Sequence, residues 1–196
     1  MSTGLFTAPD PLAYTPRNAG TSRRPKPDLP VWLIAATLLN VAIAVCAGPF
    51  PYHDSTNHLA RYVLLDQAWF GESPSWIIAR LVPTPYIAVD LLGVGLVHFL
   101  GPIHTLRIMA VIPLILLPAG MYALLLATAS DQRTWSLTGV LFGFSWWYLG
   151  GSFNFVIGLG LLFFVLALWW PRRRAARWHP RLLLTLAAVL LFGAEA

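Results

Sequence analysis

A chain of 196 residues with 57% hydrophobic and 11% charged residues is not an ordinary soluble domain, which carries roughly 25% charged residues. Its mean hydropathy of +0.66 points to an integral membrane protein. The net charge of +5 does not point to nucleic acid, because nine of the thirteen basic residues flank apolar segments in two clusters. These are Arg17, Arg23, Arg24 and Lys26, then Arg172, Arg173, Arg174, Arg177 and Arg181, placed as in cytoplasmic loops.

In chain order, residues 1–29 are polar and hold Pro9, Pro11, Pro16, Pro25 and Pro27. They are expected to form a disordered cytoplasmic tail, too long and proline-rich for a cleaved signal peptide. Pro30 opens a first helix at a favourable position, and Val31–Pro49 is expected to span from inside to outside. Cys46 lies in this run and reads as a small core residue; as the single cysteine it excludes an internal disulfide.

The stretch "HDSTNHLAR", residues 53–61, comes next. Pro49 and Pro51 stop the first span, and Asp54 is a favoured N-cap for a helix over 55–70. Asp54, His58, Arg61 and Leu65 recur at i, i+4, i+7 and i+11, so the three polar groups share one face. Tyr62, Val63 and Trp69 are expected to rest on the membrane from the other side.

The apolar block Tyr86–Leu100 decides the topology. If it spans, eight basic residues fall outside and five inside, against the positive-inside rule. If it lies at the outer interface, ten fall inside and only Arg61, Arg80 and Arg107 fall outside. Its 15 residues are fewer than the roughly 20 of a span, and Asp90 and His98 would be costly in lipid. An interfacial helix is therefore expected, with Asp90 undecided and His98 facing solvent.

The remaining spans are expected at about 103–129, 134–150, 154–170 and 182–196. The first of these should bend at Pro113 and Pro118. "GGSFN", residues 150–154, should turn on the outside, with Asn154 capping the next helix or aiming its amide at a site. Gly158 and Gly160 should let another helix approach closely. Trp69, Trp76, Trp146, Trp147, Trp169 and Trp170 fall near the expected interfaces. The expected fold is all-α: a polytopic transmembrane helix bundle with a long outer loop, 50–102, carrying amphipathic interfacial helices. The last span is short, and the chain reads as the front part of a longer protein.

A capping role explains Asp54 alone and not His58 and Arg61 stacked beside it. A carboxylate at the bilayer edge can accept a proton from an acceptor hydroxyl or help hold a divalent metal ion. Arg61, with its fixed fork of donors, suits a phosphate. Arg80 and Arg107 are the other outer basic residues and suit the same anion or a lipid headgroup. A zinc site from His53, Asp54 and His58 matches no usual ligand spacing, and no metal ligand is assigned.

"HDSTNHLAR", "PTPYIAVDLL" (83–92), "GPIHTLR" (101–107) and "GGSFNFVIGLG" (150–160) together resemble the GT-C superfamily of membrane glycosyltransferases. The likeness is nearest to the aminoarabinose transferase and protein O-mannosyltransferase branch, and it covers residues 31–196. It implies a polyprenyl-phosphate-linked sugar donor and transfer on the outer face of the cytoplasmic membrane. It also implies a catalytic role for Asp54 and matches Arg107 to an arginine at the start of the second span. The chain departs from the pattern at "GGSFN", where an acidic residue is common, and at Thr84. The resulting site set is Asp54 as catalytic residue, with His58, Arg61, Arg80, Arg107 and Asn154 toward substrate and phosphate. The alternative is a non-enzymatic protein that binds or transports a lipid-linked anionic substrate. Membrane lipids and the donor are the expected partners, with no nucleic acid.

Overall fold

The computed structural model describes residues 30–47, 54–71 and 87–172. Among them the fold is all-α, with no strand. The helices are α1 (Val31–Cys46), α2 (Ser55–Phe70), α3 (Ile87–Leu100), α4 (Pro102–Thr128), α5 (Leu137–Phe142), α6 (Trp146–Leu149) and α7 (Phe153–Trp169). Short 3-10 turns cover Ser130–Ser136 and Trp170–Arg172. The expected tail and the last span lie outside the described residues.

The centre of the molecule is the pair α4 and α7. Small residues set their spacing. A Cβ on Gly120 would stand within contact of the Gly160 carbonyl oxygen, too close for any side chain. A Cβ on Gly160 would stand 2.9 Å from Leu116 Cγ and 3.0 Å from the Leu116 carbonyl carbon. The two backbones therefore touch where each lacks a side chain, as expected for Gly160. Met109, Ala110, Leu114 and Leu117 of α4 are buried there with Val156 and Ile157 of α7.

Gly101 turns α3 directly into α4. Its φ of 77° is in the left-handed region, and Pro102 follows at the first helical position. α4 then runs 27 residues through Pro113 and Pro118, both buried. Pro113 has no N–H to offer the Met109 carbonyl. At the next carbonyl, that of Ala110, the buried Tyr148 hydroxyl donates a 3.0 Å hydrogen bond. Gly139 of α5 lies against Pro118, where a Cβ would be 2.9 Å from the proline Cα.

The segment expected as one span over 134–150 is not one helix. It is a 3-10 turn, the six-residue α5, a break at Gly143–Ser145 and the four-residue α6. Local chemistry explains the break. The Ser145 side chain accepts from the Tyr148 N–H, starting a new helix. Asn40 of α1 donates to the Val140 carbonyl at 2.8 Å. Gly143 fits under Asn40, where a Cβ would be 3.4 Å from the amide nitrogen.

α4 is the one helix among the described residues long and apolar enough to cross a membrane. α1, α3 and α7 are apolar but shorter, at 16, 14 and 17 residues. α1 buries only Leu33 and Ala44, and leaves Val31, Leu38, Leu39 and Ile43 exposed.

Two glycine substitutions should have opposite effects. Gly120→Val forces α4 and α7 apart and should cost about 1–3 kcal/mol. Gly95→Ala meets nothing within 4 Å. It should gain up to about 1 kcal/mol from helix propensity. Thermal unfolding midpoints of the two variants check both signs.

Candidate functional site

The site lies on α2 and is held from three directions. The first is the turn before α7. Gly151 has φ 87°, and a Cβ there would stand 2.9 Å from the Asp54 nitrogen and 2.7 Å from the Ser55 nitrogen. The Asp54 N–H donates to the Gly150 carbonyl at 3.0 Å. Only glycine allows this turn both its backbone conformation and its close approach to the start of α2. "GGSFN" thus sets the position of Asp54.

Asp54 occupies the N-cap position of α2, as expected, but its side chain makes no capping hydrogen bond. Its carboxylate turns along the helix instead. Oδ1 accepts from Asn57 Nδ2 at 2.9 Å, and Oδ2 lies 3.3 Å from His58 Nε2. The Asp54 side chain is 44% exposed and that of His58 is 20% exposed. The result is an oriented carboxylate backed by an imidazole and open to solvent. Asn57, undecided from sequence, is one of its two holders.

The second hold comes from α3, and sequence reasoning missed it. Arg61 Nη2 meets Asp90 Oδ2 at 2.5 Å. The Asp90 side chain is 7% exposed, while that of Arg61 is 44% exposed. Arg61 therefore shares a face with Asp54 and His58, as expected, but its charge is already engaged by a carboxylate. Asp90 Oδ1 is buried and makes no hydrogen bond. Burial pushes the Asp90 carboxyl above its ordinary range, against the opposing pull of Arg61 and His58. A buried aspartate on an apolar helix demands a cation, and that demand was the available signal.

Tyr62 corrects a second expectation. It does not rest on the membrane side but is buried at 4% exposure, with its ring over Gly93 of α3. A Cβ on Gly93 would fall 2.6 Å from that ring. The ring also stacks on His58, with centroids 6.3 Å apart. Burial, and then the Asp90 charge, push the Tyr62 phenol well above its usual range, while Arg61 pulls the other way.

The third hold is a second tie between the same helices. His98 Nδ1 lies 2.9 Å from Asp66 Oδ1, and the His98 ring packs on Phe70 and Phe99. His98 is exposed, as expected. It also pairs α3 with α2 at the far end of their contact.

Arg80, Arg107 and Asn154 are the other expected members. Arg80 and His53 lie outside the described residues. Arg107 is exposed on α4 and makes no ion pair among the described residues. Asn154 does not cap α7, whose N-cap is Ser152. It is buried, and its Oδ1 makes no hydrogen bond. Among the described residues no three His, Cys, Asp or Glu side chains converge to hold a metal ion.

No family model, curated protein or solved structure matches this chain. The site stands on its own geometry.

The raised Asp90 carboxyl has a consequence for stability. The folded chain binds this proton more tightly than the unfolded chain does. Its contribution is therefore fully present below the ordinary aspartate range and is lost as pH rises through the raised folded value. Asp90→Asn should remove that falling component from the pH profile of unfolding. Denaturant titrations of both proteins over a pH series check it.

Proposed function

We propose that this is a polytopic membrane protein that transfers a sugar from a polyprenyl-phosphate-linked donor on the outer face of the cytoplasmic membrane. The reading follows the resemblance to GT-C glycosyltransferases. One observation carries it: the Asp54 carboxylate is oriented by Asn57 and His58, with Arg61 one turn further along the same face, and it is not spent on capping. An inverting transfer needs a base that takes the acceptor hydroxyl proton as the sugar bond forms. Asp54 is that base. His58 orients it and stabilises its charge. Arg61 meets the donor phosphate, which leaves as the sugar is transferred.

The membrane reading has its own support. α4 is long enough to span, and α1 carries an outward apolar surface of Leu38, Leu39 and Ile43. Leu141, Phe142 and Trp146, at and beside the break in the third expected span, are also exposed. The distribution of basic residues supports an outer position for the α2 site. Arg107, on the second turn of α4, suits a lipid headgroup at the same interface. Asn154 and a metal ion take no part in this scheme.

The test is Asp54→Asn in the full chain, in membranes supplied with polyprenyl-phosphate-linked sugars. Transfer should fall about 10²–10⁴-fold, the usual worth of a positioned base. Asn57→Ala, which frees one carboxylate oxygen, should give a smaller loss of the same kind. Unchanged transfer by Asp54→Asn at normal expression would sink the role. Retained binding of the lipid donor with no transfer by the wild type would favour the non-enzymatic alternative.

A further inference from the structure

The Arg61–Asp90 pair is asymmetric. Arg61 is 44% exposed, whereas Asp90 is more than nine-tenths buried. Asp90 satisfies only Oδ2, and Oδ1 is enclosed with no hydrogen bond among the described residues. The pair thus offers one accessible cation whose counter-ion is buried. An anion arriving at Arg61 adds a second negative charge to a site that holds one positive charge. Asp90 cannot leave, and its free oxygen has no hydrogen bond to keep it charged.

We propose that an anion engaging Arg61 is accompanied by the uptake of one proton from solvent onto Asp90 Oδ1. Before binding, the guanidinium is balanced by the Asp90 carboxylate. After binding it is balanced by the incoming anion, and Asp90 is a neutral acid. No bond other than O–H forms, and the site with its bound anion carries the same zero net charge as the pair alone did before. The inference rests on the reading of Arg61 as the group that meets the donor phosphate.

The groups around Asp90 are consistent with this assignment. From α2 it faces Arg61, His58 and Tyr62. On α3 the next ionisable group is His98, two turns away and paired with Asp66. On α4 the basic side chains are His104 and Arg107, which are exposed and make no ion pair with Asp90. Burial already favours the neutral carboxyl before any anion arrives.

The probe is methyl dodecyl phosphate, a diester that keeps one negative charge across the working range and so adds no titration of its own. It is titrated calorimetrically into the purified full chain in detergent, in two buffers of unequal ionisation enthalpy. The wild type should bind with enthalpies that differ between buffers by an uptake approaching one proton. Its affinity should rise by up to about tenfold for each unit the pH is lowered, at pH values above the ordinary aspartate range. Asp90→Asn should bind with equal enthalpies in both buffers and a flat pH profile. His58→Gln should keep the uptake.

Equal enthalpies in the wild type, or no saturable binding, overturn the proposal. So does uptake that survives Asp90→Asn or disappears in His58→Gln, which moves the proton elsewhere. If Asp90→Asn fails to fold, the wild-type buffer series and His58→Gln still decide. Sugar transfer is not read here. Transfer that depends on Asp54 without proton uptake would leave the proposed function intact and overturn this inference alone.

Discussion

A carboxylate inside an apolar helix is the constraint on which the arrangement of this molecule depends. Asp90 sits on α3 among Val89, Gly93, Val94 and Val97, all buried with it. An isolated charge there costs far more than any helix propensity returns. Arg61 of α2 answers it, and its own exposure keeps part of its hydration. Removing one member of a buried pair costs roughly 3–5 kcal/mol, and a half-exposed arginine puts this pair below that range. The pair fixes how α2 lies on α3. Tyr62 then fits its ring over Gly93, and Asp66 meets His98 further along both helices in the same order. Charge sets the register and packing fills it.

That register propagates in a closed circuit. α3 passes through Gly101 into α4 with no intervening loop. α4 lies against α7 at Gly120 and Gly160. The turn that leads into α7 comes back to the start of α2, where Gly151 touches Asp54 and Ser55. Each link is a glycine turn, a glycine contact or an ion pair, and none tolerates sliding. Asp54 is thus positioned by the bundle as well as by its own helix. The broken segment between α4 and α7 serves the same end. Asn40 anchors α5 to α1, and α6 delivers Tyr148 to the carbonyl beside the one that Pro113 leaves free.

Local features were legible in the sequence because local rules decide them. Pro30 opens α1, and α2 covers the expected 55–70. The i, i+4, i+7 spacing correctly placed Asp54, His58 and Arg61 on one face, and Gly160 marked a close helix approach. What failed needed a partner helix. Periodicity assigns a residue to a face of its own helix but does not say what that face meets. Tyr62 looked like a membrane-facing aromatic because nothing in α2 announces Gly93. Arg61 looked free for a phosphate because Asp90 is 29 residues away along the chain. The run 134–150 looked like one span because its hydropathy is continuous. Ser145, a good cap beside Gly143, was the sign of a break within it.

The two aspartates of this face have opposite surroundings. Asp54 is 44% exposed, with both oxygens held by neighbours on its own helix. Asp90 is enclosed, with one oxygen on Arg61 and the other on nothing. An N-cap side chain bond is worth about 1 kcal/mol, and α2 forgoes it at Asp54. A helix that leaves its natural cap unused while orienting the same carboxylate toward solvent has stabilised a geometry rather than itself. Asp90 shows the converse: it stabilises a helix pair while keeping an oxygen unsatisfied. His58 lies against Asp54 and is close enough to Asp90 to pull on its charge, so one imidazole links the two carboxyls.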